Sequence, residues 1–188
     1  MYALKHPLLV SVLLACIWTV PVLAADINTG EQKSANCLGC HGPKGKSSSA
    51  QWPNLAAQQS TYIVNQLNAF KTGTRNNAMM QSMAANLSDE DINNLAAYYS
   101  SQAPVKAGGD PNLSKSGQTK ASMCLGCHGL SAEGNGQFPR LAGQHPDYLV
   151  KQLSSFKEGV RKSGYMQAIA STLSEADMKA LAAYFGSL

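Results

Sequence analysis

The chain has little of several things that usually announce a function. Beyond residue 25 no apolar run approaches the roughly 20 residues that a spanning helix needs. No stretch there shows convincing strand alternation. Charge is sparse as well: 14% of residues are charged, and 15 Lys+Arg against 11 Asp+Glu leave +4. So small an excess gives no electrostatic footprint for nucleic acid. Histidine is scarce, with only His41, His128 and His145 after residue 25. Of the 5 cysteines, Cys16 stands alone and the rest form two Cys-x-x-Cys pairs.

The first 25 residues stand apart. Lys5 and His6 precede an apolar run from Leu8 to Val20 that ends in Pro21-Val22-Leu23-Ala24-Ala25. This is the layout of a secretory signal peptide with cleavage after Ala24 or Ala25. The run is short for a membrane anchor, and small residues close it. Cys16 is a poor lipidation site, because apolar residues follow it where a lipoprotein turns polar. Without Lys5 the mature chain carries +3. An exported chain meets an oxidising compartment, where unprotected Cys-x-x-Cys pairs would form disulfides.

The mature sequence is one unit written twice. Gly30, Cys37, Cys40 and His41 recur 87 residues later as Gly117, Cys124, Cys127 and His128. The offset then becomes 86, carrying Tyr62, Gln66, Phe70, Gly73 and Arg75 onto Tyr148, Gln152, Phe156, Gly159 and Arg161. Leu95-Ala96-Ala97-Tyr98 lands on Leu181-Ala182-Ala183-Tyr184. Matches this dense predict two domains of one fold, at 26–102 and 113–188. The Pro/Gly-rich stretch 103–112 between them reads as an exposed linker.

Each unit reads as helical. Ser88-Asp89-Glu90-Asp91 and Ser174-Glu175-Ala176-Asp177 are capping-box-like starts of a last helix. Helical spacing continues through Ile92, Leu95, Ala96 and Tyr99, and through Met178, Leu181, Ala182 and Phe185. A second helix is predicted from about Thr61 to Lys71, and from Pro146, suited to a first helical position, to Lys157. A domain of about 75 residues has a marginal core of its own, which a large apolar cofactor would complete.

Cys-x-x-Cys-His is the spacing that attaches a c-type haem. The two thiols form thioethers to the haem vinyl groups, and the adjoining imidazole reaches the iron. Cys37, Cys40 and His41, with Cys124, Cys127 and His128, therefore predict two covalently bound haems. A zinc site would have to join Cys40 to Cys124 across a whole domain, far beyond the usual spacing of about 12 to 20 residues. For the opposite face of the second iron, Met166 is the good candidate: Met123 abuts Cys124, and Met178 lies on the core stripe. The repeat then selects Met80, with Met79 and Met83 as the neighbours that could replace it. His145 corresponds to Gln59, beside a helix start, and reads as a surface or capping residue.

On these residues both halves resemble small class I cytochrome c domains, and the tandem arrangement resembles the cytochrome c4 family. Phe138-Pro139-Arg140-Leu141-Ala142-Gly143-Gln144 and the terminal Leu-Ala-Ala-Tyr pairs share in the resemblance. It implies an all-α fold of two tandem domains in which the Gly30 and Gly117 helices pack against the last helices near Tyr98 and Tyr184. It implies that the Pro53 and Pro139 carbonyls accept hydrogen bonds from the axial histidines, and that Arg140 lies near a haem propionate. Asn54 stands where the second copy has Arg140, so the first copy departs from that pattern.

His/Met ligation fills both axial positions and leaves no open site, so the expected activity is one-electron transfer without bond chemistry. The resemblance implies a periplasmic, non-enzymatic carrier between a quinol-oxidising complex and a terminal oxidase, meeting the membrane only through those partners. The alternative is the dihaem electron-accepting subunit of a flavocytochrome c sulfide dehydrogenase-like enzyme. A dihaem peroxidase fits less well, since it needs an open iron site and a longer chain.

Overall fold

The computed structural model describes residues 24–188. The expected leader, with Cys16, lies outside the described residues except for Ala24 and Ala25. The first copy runs through α1 (Ile27–Lys33), a 3-10 turn (Ser34–Cys37), α2 (Leu38–His41), α3 (Ser60–Lys71), α4 (Ala78–Ala84) and α5 (Asp89–Ser100). The second repeats it as α6 (Pro111–Gln118), α7 (Ser122–His128), α8 (Pro146–Lys157), α9 (Gly164–Ser171) and α10 (Glu175–Ser187). No strand occurs among the described residues; a single bridge joins Asn135 and Phe138. None of their helices is long and apolar enough to cross a membrane. The fold is all-α, built as two tandem copies.

Both capping boxes form. Ser88 Oγ accepts from Asp91 N–H at 3.0 Å while Asp91 accepts from Ser88 N–H, and Ser174 with Asp177 repeats the exchange. Two orphan amides at each helix start are thereby satisfied. The stripe these helices carry is buried: Ile92, Leu95, Ala96 and Tyr99 in α5, Met178, Leu181, Ala182 and Phe185 in α10. Ile63 of α3 and Leu149 of α8 close the two cores.

The first helix of each copy crosses the last at glycine. A Cβ on Gly30 would overlap the Asn94 carbonyl oxygen and press on Tyr98, and one on Gly117 would do the same to Ala180 and Tyr184. Beside each crossing stands an ion pair, Lys33–Asp91 at 2.8 Å and Lys120–Asp177 at 2.7 Å. A lysine also anchors each second long helix: Lys71 Nζ donates to Leu87 O at 2.6 Å and Lys157 Nζ to Leu173 O at 2.5 Å.

The connection is exposed at Ala103, Pro104, Lys106, Asp110, Pro111 and Asn112, but part of it packs more closely than a free linker. Val105 and Ala107 to Gly109 are half-buried against the second domain. Ala107 N–H donates to Gly143 O at 3.2 Å and Gly108 N–H to Gly186 O at 2.9 Å. The lack of a Cβ at Gly109 admits the backbone of Ala183, so here glycine serves close packing rather than freedom.

Candidate haem-binding site

One cavity of about 1090 Å³ runs between the two copies and is lined by Cys37 and His41 of the first and by Cys124, Cys127 and His128 of the second. The short turn through α2 places Cys37 and His41 four residues apart on one helical face, and α7 does so for Cys124 and His128. Cys127 lines the cavity too, whereas Cys40 is half-buried and does not.

Both imidazoles are buried, at 7% and 6% exposure. His41 Nδ1 donates to Pro53 O at 2.9 Å, and His128 Nδ1 donates to Pro139 O at 2.8 Å. A carbonyl can only accept, so Nδ1 carries the proton and Nε2 keeps its lone pair, the tautomer of a metal ligand. Burial lowers both histidines from their ordinary value, keeping them neutral. The same burial pushes the Cys37 thiol up and that of Cys124 up to about 11. Reactive Cys-x-x-Cys pairs have depressed values, so these cysteines are not poised for disulfide exchange. Nor, among the described residues, do three or more His, Cys, Asp or Glu side chains gather as a metal site, so a zinc cluster is not assembled.

Met80 and Met166 reach the cavity from α4 and α9, two short helices that carry no apolar periodicity. Asn77, in extended backbone, caps α4 by accepting from Met80 N–H at 3.0 Å. Ser163 caps α9 and accepts from Met166 N–H at 3.5 Å. Each methionine thus sits three residues past its cap, half-buried and facing the cavity. Of the alternatives, Met79 is 50% exposed and does not line it; Met83, 43% exposed, does.

The remaining walls suit a large apolar group with acidic substituents. Tyr99 lines the cavity with a buried hydroxyl that has no hydrogen-bond partner among the described residues. Arg75 donates to Gln66 at 2.8 Å and, across the interface, to Tyr148 at 3.1 Å and Gln152 at 2.9 Å. Arg161 mirrors it, donating to Gln152, Tyr62 and Gln66. Neither half-buried guanidinium pairs with a carboxylate among the described residues, so each keeps its positive charge beside the cavity. Arg140 also lines the cavity, its Nε donating to Ala142 O at 3.0 Å. Its counterpart Asn54 instead bonds Ser47 N–H and Gly143 O. His145 does not line the cavity; its side chain makes no cap and reaches Ser47 O at 3.1 Å in the other domain.

The arginine and tyrosine pairs stand out in the repeat, but spacing alone does not say what they bind. Their signal was that polar residues stayed identical in both copies. The cavity, the free imidazole Nε2 pair and the unneutralised arginines together fit two haems with their propionates.

Comparison with known proteins agrees with the geometry. The cytochrome c family profile, described as "Cytochrome c", matches residues 27–103 and 114–188. Cytochrome c4 of Azotobacter vinelandii is 37% identical, covering 88% of this chain and 90% of the relative. A thiosulfate dehydrogenase electron acceptor of Thiomonas intermedia is 32% identical over 95% of this chain and 89% of its own length. The crystal structure of reduced recombinant cytochrome c4 from Pseudomonas stutzeri superposes with a TM-score of 0.82 at 36% identity, covering 88% of this chain and 100% of that one. The chain belongs to the cytochrome c family, in its dihaem cytochrome c4 group, and its cofactors are two covalently bound haem c groups.

Proposed function

We propose that this electron carrier works in the periplasm as part of a respiratory chain, passing electrons from a quinol-oxidising complex towards a terminal oxidase. In this reading Cys37 and Cys40 attach one haem, and Cys124 and Cys127 the other. His41 with Met80, and His128 with Met166, are the axial ligands in domains spanning 26–102 and 113–188. The haems supply a reversible one-electron couple. The chain's own residues do the rest: the Pro53 and Pro139 carbonyls fix the imidazole rings, and the capped methionines line the cavity, where with the histidines they would hold each iron and leave no site for substrate. Such a centre moves electrons and performs no bond chemistry.

The observation that carries the reading is the shared cavity, which brings both sets of candidate ligands to one domain interface. Two redox centres so placed let an electron enter by one domain and leave by the other. The test is to mix the reduced dihaem protein with membranes containing quinol-oxidising complex and oxidase. Oxidation that stops with cyanide, and re-reduction by added quinol, are expected; no turnover in either direction rejects the respiratory assignment.

A second reading comes from the relative named as a thiosulfate dehydrogenase electron acceptor. There the protein accepts electrons from a sulfur-oxidising enzyme, close in kind to the flavocytochrome c alternative. Reduction by thiosulfate with such a dehydrogenase, and none by quinol with its complex, would select it.

A further inference from the structure

Each peptide group that holds an imidazole is gripped from behind by the opposite domain. The Pro53 carbonyl accepts from His41 Nδ1, and the N–H of the same peptide, on Asn54, donates to Gln144 Oε1 at 2.8 Å. The mirror contact joins His128, the Pro139 carbonyl and Arg140 N–H, which donates to Gln58 Oε1 at 2.7 Å. Each glutamine returns a second bond: Gln144 Nε2 to Asn54 O at 2.9 Å and Gln58 Nε2 to Arg140 O at 3.0 Å. Residues 58 and 144 are equivalent in the repeat, so the contacts are related by an approximate twofold axis.

The amide orientation is fixed by chemistry. Gln144 Oε1 also accepts from His145 N–H at 3.0 Å, and Gln58 Oε1 from Gln59 N–H at 2.9 Å. Flipping either amide would set its NH₂ against two backbone donors. Both glutamines are 6% exposed, which keeps water from replacing them.

Hydrogen bonds in series across one peptide polarise each other. A partner on the N–H draws electron density towards the carbonyl oxygen, which then pulls harder on the Nδ1 proton and makes the imidazole a stronger donor through Nε2. We propose that Gln58 and Gln144 are positioning residues, each tuning the axial imidazole of the opposite domain, so that domain docking sets part of each iron's potential. The proposal rests on His41 and His128 being the iron ligands.

The test is Gln144→Leu and Gln58→Leu in the full dihaem protein, with redox titrations that follow each haem separately through its shifted methyl resonances. Loss of the acceptor leaves a less electron-rich imidazole and a less stabilised ferric iron. Gln144→Leu should therefore favour reduction of the N-terminal haem by about threefold, about 28 mV for one electron, and leave the C-terminal haem in place. Gln58→Leu should do the converse, moving only the C-terminal haem upward. Amide hydrogen exchange should accelerate at Asn54 in the first variant and at Arg140 in the second. A shift in the variant's own domain, equal shifts in both haems, or no shift overturns the proposal, as does unchanged exchange. If leucine prevents folding, Gln144→Asn keeps the polarity but is one methylene too short, and must move the same haem in the same direction. Failure of the ligand reading shows separately, as a His41→Gly variant whose N-terminal haem keeps its low-spin spectrum.

Discussion

At position 80 the choice among three nearby methionines comes down to a cap. Asn77 receives Met80 N–H, and Ser163 receives Met166 N–H, so both thioethers enter the cavity from the third residue of a short helix. Met80→Ala and Met166→Ala should each remove half of the weak near-infrared sulfur-to-iron band of the oxidised protein. Met83 lines the same cavity, so Met83→Ala is the control: loss of the band there, with Met80→Ala intact, reassigns the ligand. Replacing Cys37 and Cys40 together should leave one haem per chain that acidified organic solvent cannot extract, with Cys124 and Cys127 still holding theirs. Finding none would mean that the domains do not mature independently.

At the scale of elements, the crossing of first and last helices concentrates three devices: a glycine contact, an ion pair and a capping box. Gly30→Ala or Gly117→Ala must push two helices apart, and overpacking of this kind costs about 1–3 kcal/mol. Thermal melts should show a fall in Tm for either. Asp91 and Asp177 sit at these crossings. The Lys33 ammonium bonded to Asp91, and the Lys120 ammonium bonded to Asp177, hold both carboxyls below their ordinary 3.8. Carboxyls depressed on folding stabilise the fold above the unfolded value and lose that contribution as pH falls below it. Melts recorded across and below pH 4 should thus decline, and Asp91→Asn with Asp177→Asn should flatten the decline; an unchanged slope would assign acid sensitivity elsewhere.

These elements were legible in the sequence for a physical reason: Ser-x-x-Asp before an apolar stripe encodes its own cap, and the signal is local. α4 and α9 were not, because seven or eight residues on a partly exposed surface carry no apolar period. The close packing at Gly109 was not legible, because sequence alone does not tell whether a missing Cβ serves freedom or, as beside Ala183, close approach. The motif cysteines and histidines were legible from spacing alone. The glutamine grips were hidden, since an amide's partner 82 or 90 residues away depends on how two domains dock.

At the scale of the whole molecule, the approximate twofold axis makes departures from symmetry informative. Residues 26–102 contain five basic and five acidic side chains, and residues 113–188 contain eight and five. Much of the surface charge cancels in equivalent pairs, such as Lys33–Asp91 and Lys120–Asp177. Arg75 and Arg161 reach symmetrically across the interface and favour neither side. The excess of three is mirrored along the cavity wall, where Arg140, Lys151 and Lys162 replace Asn54, Asn65 and Asn76 of the first copy. Oxidation adds positive charge to a haem, so cations around the C-terminal site oppose it and raise that potential above the N-terminal one. A unit charge about 10 Å from the iron at an effective dielectric of 20 is worth roughly 1.7 kcal/mol before screening. For one electron about 1.4 kcal/mol corresponds to 59 mV, so after screening a gap of tens of millivolts is expected. Because Arg140 faces the cavity, Arg140→Asn, which restores the first copy's residue, should narrow the gap most, and high salt should narrow it through the exposed lysines. Redox titrations with each haem assigned by its axial methionine variant decide the matter: a C-terminal potential at or below the N-terminal one rejects the charge argument, and so does a gap that Arg140→Asn leaves unchanged.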